Sequence, residues 1–452
     1  MKLIDREWTS KAPKLSHVAP FDGIRGFGIL GVMIGHSFPL DTLSWAGIVD
    51  IFFVISGFLI TTLLLQEHRG YGAIDLRKFY ARRTLRLFPL LYVALFTIFV
   101  AGVISKQAGW LEGTPYTLRE LTKETAASAF YVHNIFFPTL GGAWLAHLWT
   151  LSVEEQFYLI VGVLMVVALV RGGIRVMMWL LVAAIAAIQL SRGFGITGPV
   201  PELAFAVWLQ RPDSLMIGML AALINAHLPD PLSERTRRLM RIGGWIGVIG
   251  LFSAVWASTS FARNQLGIHI PFYPGDPNYL PDGATTEDVI RPLFDAGGWR
   301  LRLDRTYWLQ WGFTVVNWSI LLICMPVFRV KEWWPNKLMS VKPLVRIGAL
   351  LSYGLYIWHY PVQHFIRIAV GTTEEKNCVV DGVREIYVQG CRAGDHYRTL
   401  LHPVVQLILD VGLPFLVAIP TYLFVERKAL EIKNRFQVDK AALADAEAAK
   451  SV

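Results

Sequence analysis

The chain has 452 residues, of which 54% are hydrophobic and only 17% charged. That balance excludes a soluble globule and describes a polytopic membrane protein. The formal net charge of +9 does not point to nucleic acid, because most of the 43 Lys and Arg fall in alternate loops, as the positive-inside rule requires.

In chain order, residues 1–20 hold Lys2, Arg6, Lys11 and Lys14 and read as a cytosolic segment. They carry no cleavable signal, because the apolar run that follows continues into a helical hairpin. The expected spans are 24–40, 48–66, 87–104, 151–170, 176–190, 214–226, 242–259, 308–328, 344–370 and 401–425. Basic loops with Arg77, Lys78, Arg82, Arg83 and Arg86, with Arg235, Arg237, Arg238 and Arg241, and with Arg329, Lys331 and Lys337 lie inside. The expected fold is therefore all-α, a bundle of about ten transmembrane helices with both termini cytosolic. Residues 21–430 form one membrane-embedded unit, with long extracytoplasmic loops at 260–306 and 371–400 and a cytosolic tail at 431–452. Residues 105–146 read as less regular and external, with an interfacial piece around 130–137. Cys378 and Cys391 share the second long loop, facing an oxidising compartment, where a disulfide closing the loop is expected. No Cys/His cluster suggests a metal.

The stretch from Phe21 to Pro39 is apolar yet holds Arg25 and His36. Their spacing corresponds to about three helical turns, roughly 16 Å of rise, and returns both side chains to one stripe. Ionisable residues in a bilayer are costly and mark function by default; the plainer reading is an inside anchor and an interfacial histidine. The turn between the first two spans centres near Leu43, which puts His36 and Asp50 at similar depth. Asp50 is expected to orient His36, as a carboxylate does for a catalytic imidazole; the alternative is a carboxylate at the positive end of a helix. Arg83 and Arg86 are three residues apart and share a helix face. Guanidinium forks suit phosphate oxygens, although arginines flanking a span are also ordinary topology anchors. Glu154 and Glu155 read as lying near the outer end of the fourth span, with only one facing the interior. Thr150 or Ser152 followed by glutamate also reads as a capping box. Arg211 and Asp213 read first as a local ion pair at a helix end, with acceptor binding second. Trp358 and His359 read as packing and cavity lining. Asp410 is isolated in the tenth span and needs a partner or a proton.

In order along the chain come FDGIRG with His36, then GIVDIFFVISGFLIT, FYARRTLRLFPLLY, HLWTLSVEEQFYL, RPDSLMIG and LSYGLYIWHYPV. Together they resemble the acyltransferase-3 family of integral membrane O-acyltransferases over nearly all of residues 20–430. The resemblance implies transfer of an acyl group, short and most simply acetyl, from cytosolic acyl-CoA to a hydroxyl on the far side of the plasma (inner) membrane. Envelope glycans, glycolipids or small products such as macrolides would be the acceptors. It implies His36 as general base, with Arg25, Glu154 and Glu155 as further catalytic candidates beside the Asp50 read from the hairpin, and Arg82, Arg83 and Arg86 as contacts to acyl-CoA. The family's closing motif is only partly kept: FVERKAL retains Glu426 and lacks the usual proline. A fused extracytoplasmic esterase-like domain, found in some members, is not expected. There is no GxSxG elbow, so direct transfer without an acyl-enzyme is the simpler expectation. The rival is a multi-pass transporter, but no internal repeat of the kind common in that class is visible.

Overall fold

A computed structural model of the protein describes residues 18–37, 47–111, 117–137, 144–196, 199, 201–257, 311–370, 372–374, 397–399 and 402–433. The cysteine pair, most of the two long loops and the end of the tail lie outside the described residues. In chain order the helices are α1 (Ala19–Ser37), α2 (Ile48–Tyr71), α3 (Leu76–Gln107), α4 (Leu118–Ala129), α5 (His133–Phe136), α6 (Trp149–Val170), α7 (Ile174–Phe194), α8 (Pro201–Gln210), α9 (Pro212–His227) and α10 (Glu234–Ala257). There follow α11 (Phe313–Arg329), α12 (Trp334–Met339), α13 (Lys342–Arg346), α14 (Ser352–Val370), α15 (Pro403–Thr421) and α16 (Arg427–Lys433).

The protein is a polytopic, helical membrane protein. Six helical stretches among the described residues are long and apolar enough to cross a bilayer: Ile48–Tyr71, Leu76–Gln107, Ala146–Val170, Ile174–Phe194, Glu234–Ala257 and Val404–Ile432. Phe313–Arg329 is apolar but shorter. Helices α1 and α14 are not in that set, for a physical reason. They carry Asp22, Arg25 and His36, and His359, Gln363, His364 and Arg367, and they pack in the middle of the bundle against one another, α2 and α15. Helices α7 and α10 instead expose Val176, Trp179, Leu180, Ile246, Ile249 and Phe252, as a lipid-facing helix must.

Several expectations are refined or corrected. Within the less regular 105–146 segment the structure adds a helix, α4, which Thr117 caps by accepting from the Glu120 amide. The ninth expected span is helical throughout, with a π-helical turn at Ile347–Leu351 joining α13 to α14. The fold is helical but not purely so. Thr372–Glu374 pairs antiparallel with Tyr397–Thr399 at the base of the second long loop, where β-branched and aromatic residues favour strand. The expected capping box on α6 does not form, since its N-cap is Leu148 without a side-chain bond. Thr150 instead donates to the His147 carbonyl at 3.1 Å and Ser152 to the Leu148 carbonyl at 3.3 Å.

Helices α2 and α9 cross closely through reciprocal glycines. A Cβ on Gly57 would collide with the Leu215 carbonyl oxygen, and one on Gly218 with that of Val54. Small residues allow this backbone approach in membranes. Gly57→Val and Gly218→Val are each expected to cost about 3 kcal/mol or more through overpacking, read as a fall in the detergent melting temperature of the purified protein.

Candidate active site

Two adjoining regions are built around α1. The first is a cavity of about 160 Å³ among α1, α2, α3, α6 and α14. Its polar lining includes Arg25, Arg83, Arg86, Glu154, Tyr158, Tyr353 and Tyr356, with Ser56, Thr150 and Ser352 between apolar walls. The expected Arg83–Arg86 face is therefore formed and points inward. Arg82 is excluded from it, being tied to Glu67 at 2.6 Å.

The three cavity arginines are not equivalent. Arg83 is held by Glu155 at 3.0 Å and Glu154 at 3.5 Å, with its guanidinium 3.7 Å from the Tyr158 ring centroid. Glu154 also accepts from Ser56 and Tyr158. Arg25 donates to the Ser352 hydroxyl at 3.1 Å, with Asp22 3.8 Å away. Arg86 lines the same space with no carboxylate within ion-pair distance among the described residues. Arg25 and Arg86 thus carry the positive charge that a ligand can use. Only Glu154 of the glutamate pair lines the cavity.

Both glutamates contact Arg83, seven residues after the start of α3, so the expected inner arginine and the expected outer glutamates share one depth. The cause is the segment before α6. The buried Glu124 carboxylate accepts from the Trp144 and Leu145 amides at 3.2 and 2.5 Å. This draws the chain inward, so that His147 is buried with Nε2 3.2 Å from the Ile357 carbonyl. Helix α6 consequently starts within the bundle.

The second region is a histidine and tyrosine cluster around the end of α1. The His36 ring lies 5.4 Å from that of His359 and 5.1 Å from that of Tyr360. His147 lies 5.2 Å from His359 and 5.5 Å from Tyr356. Tyr356 joins the two regions: its ring walls the cavity, and its hydroxyl contacts Thr150 at 2.6 Å and the His147 carbonyl at 2.7 Å. Toward the end of α1 two main-chain carbonyls accept from side chains of α14. Arg367 donates to the His36 carbonyl at 2.8 Å and Gln363 to that of Met33 at 3.1 Å. Asp410 finds its partner in Ser37, at 2.8 Å.

The expected pairing of Asp50 with His36 does not form. Asp50 accepts from Arg211 Nε at 2.9 Å and from Ser214 at 3.2 Å, and all are buried. Nor do Arg211 and Asp213 form a local pair, because Asp213 binds Arg192 at 2.9 Å. The separation follows from the backbone. Arg211 adopts a left-handed conformation, φ 50°, between α8 and α9. It turns toward Asp50 and places its guanidinium 4.3 Å from the Phe313 ring centroid. Such strain persists only where surroundings impose it.

The helices thus enclose a cation-lined cavity beside a histidine and tyrosine cluster in a polytopic membrane protein. The family model described as an acyltransferase domain matches residues 18–389, and the chain belongs to that family, acyltransferase-3. The chain is 26% identical over 417 residues to the O-acetyltransferase OatA of Staphylococcus aureus, in strains NCTC 8325 / PS 47 and MRSA252. Those alignments take in 90% of this chain and 56% of the relatives, so the chain spans little more than half their length. No solved structure matches it.

The motifs left Tyr356, Tyr158 and His147 unassigned. Tyr356 falls one helical turn before His359 in LSYGLYIWHYPV, and that i, i+3 spacing was the available signal.

Proposed function

We propose that the protein is a plasma-membrane O-acyltransferase that moves an acetyl group from cytosolic acetyl-CoA to a hydroxyl of an extracytoplasmic envelope glycan or glycolipid. The observation that carries this reading is one cavity gathering Arg25, Arg83, Arg86 and Glu154, whose lining residue Tyr356 also touches His147 of the histidine cluster. The likeness to O-acetyltransferases supports acetyl as the group transferred. A helix lies on each of the ten spans read from the sequence, which supports a ten-span topology with both termini in the cytosol.

In this mechanism Arg25 and Arg86 grip anionic oxygens of the CoA carrier from the cytosolic side, and the thioester points toward Tyr356. The acceptor hydroxyl enters from outside beside His36. Neutral His36 takes its proton as the oxygen attacks the thioester carbon. The C–O bond forms, the C–S bond breaks, and the leaving CoA thiolate recovers the proton from His36. Arg83, already neutralised by two glutamates, shapes the cavity; Asp50 acts through Arg211 on the α2–α9 scaffold.

Arg86→Gln and Arg25→Gln are each expected to raise KM for acetyl-CoA about 10- to 100-fold, the loss of one charge-assisted contact of about 1.5–3 kcal/mol. Arg82→Gln should leave KM near wild type. CoA-thiol release by the reconstituted protein, with an envelope glycan extract as acceptor, measures this. An unchanged KM in both Arg86→Gln and Arg25→Gln would remove the cavity from the donor's path.

A further inference from the structure

The cavity has a direction that the mechanism above leaves unused. Val49, Phe52, Ser56, Leu59 and Leu63 of α2 all line it. Their three- and four-residue spacing makes one helix face, running for roughly 21 Å of rise. Contacts to α6 fix the levels along it. The Phe53 ring packs on that of Trp149 at 5.8 Å, and Ser56 donates to Glu154 about one turn further on. Leu63 follows two turns later. It is 47% exposed, and every other lining residue is buried or half-buried. At the opposite end Phe53, Thr150 and Leu151 are buried. The cavity is therefore open toward Leu63 and closed at the start of α2, beside Tyr356.

Phe52 is the wall of that closed end against α1. Its ring lies on Gly28, where a Cβ would sit 3.0 Å from both Cε2 and Cζ. Gly28 is three residues past Arg25 and eight before His36 in α1. Phe52 thus stands between the level of the cavity arginines and that of the histidine cluster. The lining at this end carries no charge: Val49, Phe52, Phe53 and Leu151 are apolar, and the Thr150 and Tyr356 hydroxyls bond each other at 2.6 Å. Such an end is costly for phosphate and suits a short hydrocarbon. Its depth limits length, because close-packed interiors have little slack. Tyr356 is held by its hydroxyl on the His147 carbonyl, which leaves the Phe52 ring as the wall whose size sets the limit.

We propose that Phe52, seated on Gly28, selects the length of the acyl group, its ring closing the cavity to chains longer than acetyl. This deepens the transfer reaction proposed above and rests on it: a thioester pointing toward Tyr356 brings its acyl group to this end. Gly28 has a part in the selection. A side chain at position 28 presses on the ring, and the open side of the ring is the cavity.

The test gives the full-length protein in proteoliposomes acetyl-, propionyl- or butyryl-CoA with an envelope glycan extract, and measures each ester formed by mass spectrometry. One methylene in a closed apolar pocket changes kcat/KM about 10- to 200-fold, so the wild type should favour acetyl over butyryl by about 100-fold or more. Phe52→Ala should raise the butyryl-to-acetyl ratio about 10- to 100-fold, and Phe52→Leu by a smaller factor. Gly28→Ala should lower the propionyl-to-acetyl ratio several-fold. In the Phe52→Ala background it should leave that ratio alone, because no ring is there to move. A ratio taken within one variant does not depend on how much of it is folded. Equal use of acetyl and butyryl by the wild type, or an unchanged ratio in both Phe52→Ala and Phe52→Leu, would overturn the selector while leaving acyl transfer intact. Transfer from none of the thioesters by the wild type would overturn the proposed reaction and the selector with it.

Discussion

His36→Ala is expected to lower kcat for acetyl transfer by about 10²- to 10⁴-fold, the range for removing a general base, while KM for acetyl-CoA stays within a few-fold of wild type. The split follows from the geometry. The arginines proposed to hold the donor line the cavity, and His36 is not among its lining residues. The protein should also fold normally. His36 is only partly buried, and α1 is held by other contacts, with Gly23 against Met339 and Gly26 against Leu344. A parallel rise in KM would place the histidine in the donor site and reverse the proposed direction of approach.

The largest effect on stability is expected at the Asp50–Arg211 pair. Arg211→Met strands a fully buried carboxylate and should cost about 3–5 kcal/mol, as breaking a buried ion pair does. Asp50→Leu strands the buried guanidinium and should cost a similar amount. The double variant Asp50→Leu/Arg211→Met should recover much of the loss, since apolar groups of similar volume can replace a buried pair at little cost. Melting temperature in detergent reads all three. If Asp50 instead served His36 directly, the double variant would be stable but catalytically as impaired as His36→Ala. Here its turnover per folded molecule should stay well above that variant's.

What could be read in the sequence was local. Arg25 and His36 share a helical stripe, Arg83 and Arg86 a helical face, and only one of Glu154 and Glu155 could point inward; each follows from the helical repeat. What could not be read depends on distant segments. Arg211 is 161 positions from Asp50 and reaches it only because the chain turns left-handed between α8 and α9. The depth of Glu154 depends on Glu124 pulling on the amides of Trp144 and Leu145, a bond between a side chain and a main chain 20 positions away. Hairpin symmetry placed Asp50 at the level of His36 but could not say that a stronger partner, an arginine, would claim it.

The central claim is that His36 catalyses acyl transfer to an envelope hydroxyl. It is met most directly by mass spectrometry of ester-linked acetyl groups on envelope glycans and glycolipids. The samples are a strain lacking the protein and the same strain carrying the wild type or His36→Ala at matched membrane levels. The account predicts an acetyl ester that is lost without the protein, returns with the wild type and stays absent with His36→Ala. Full restoration by His36→Ala would contradict it and shift the reading toward transport.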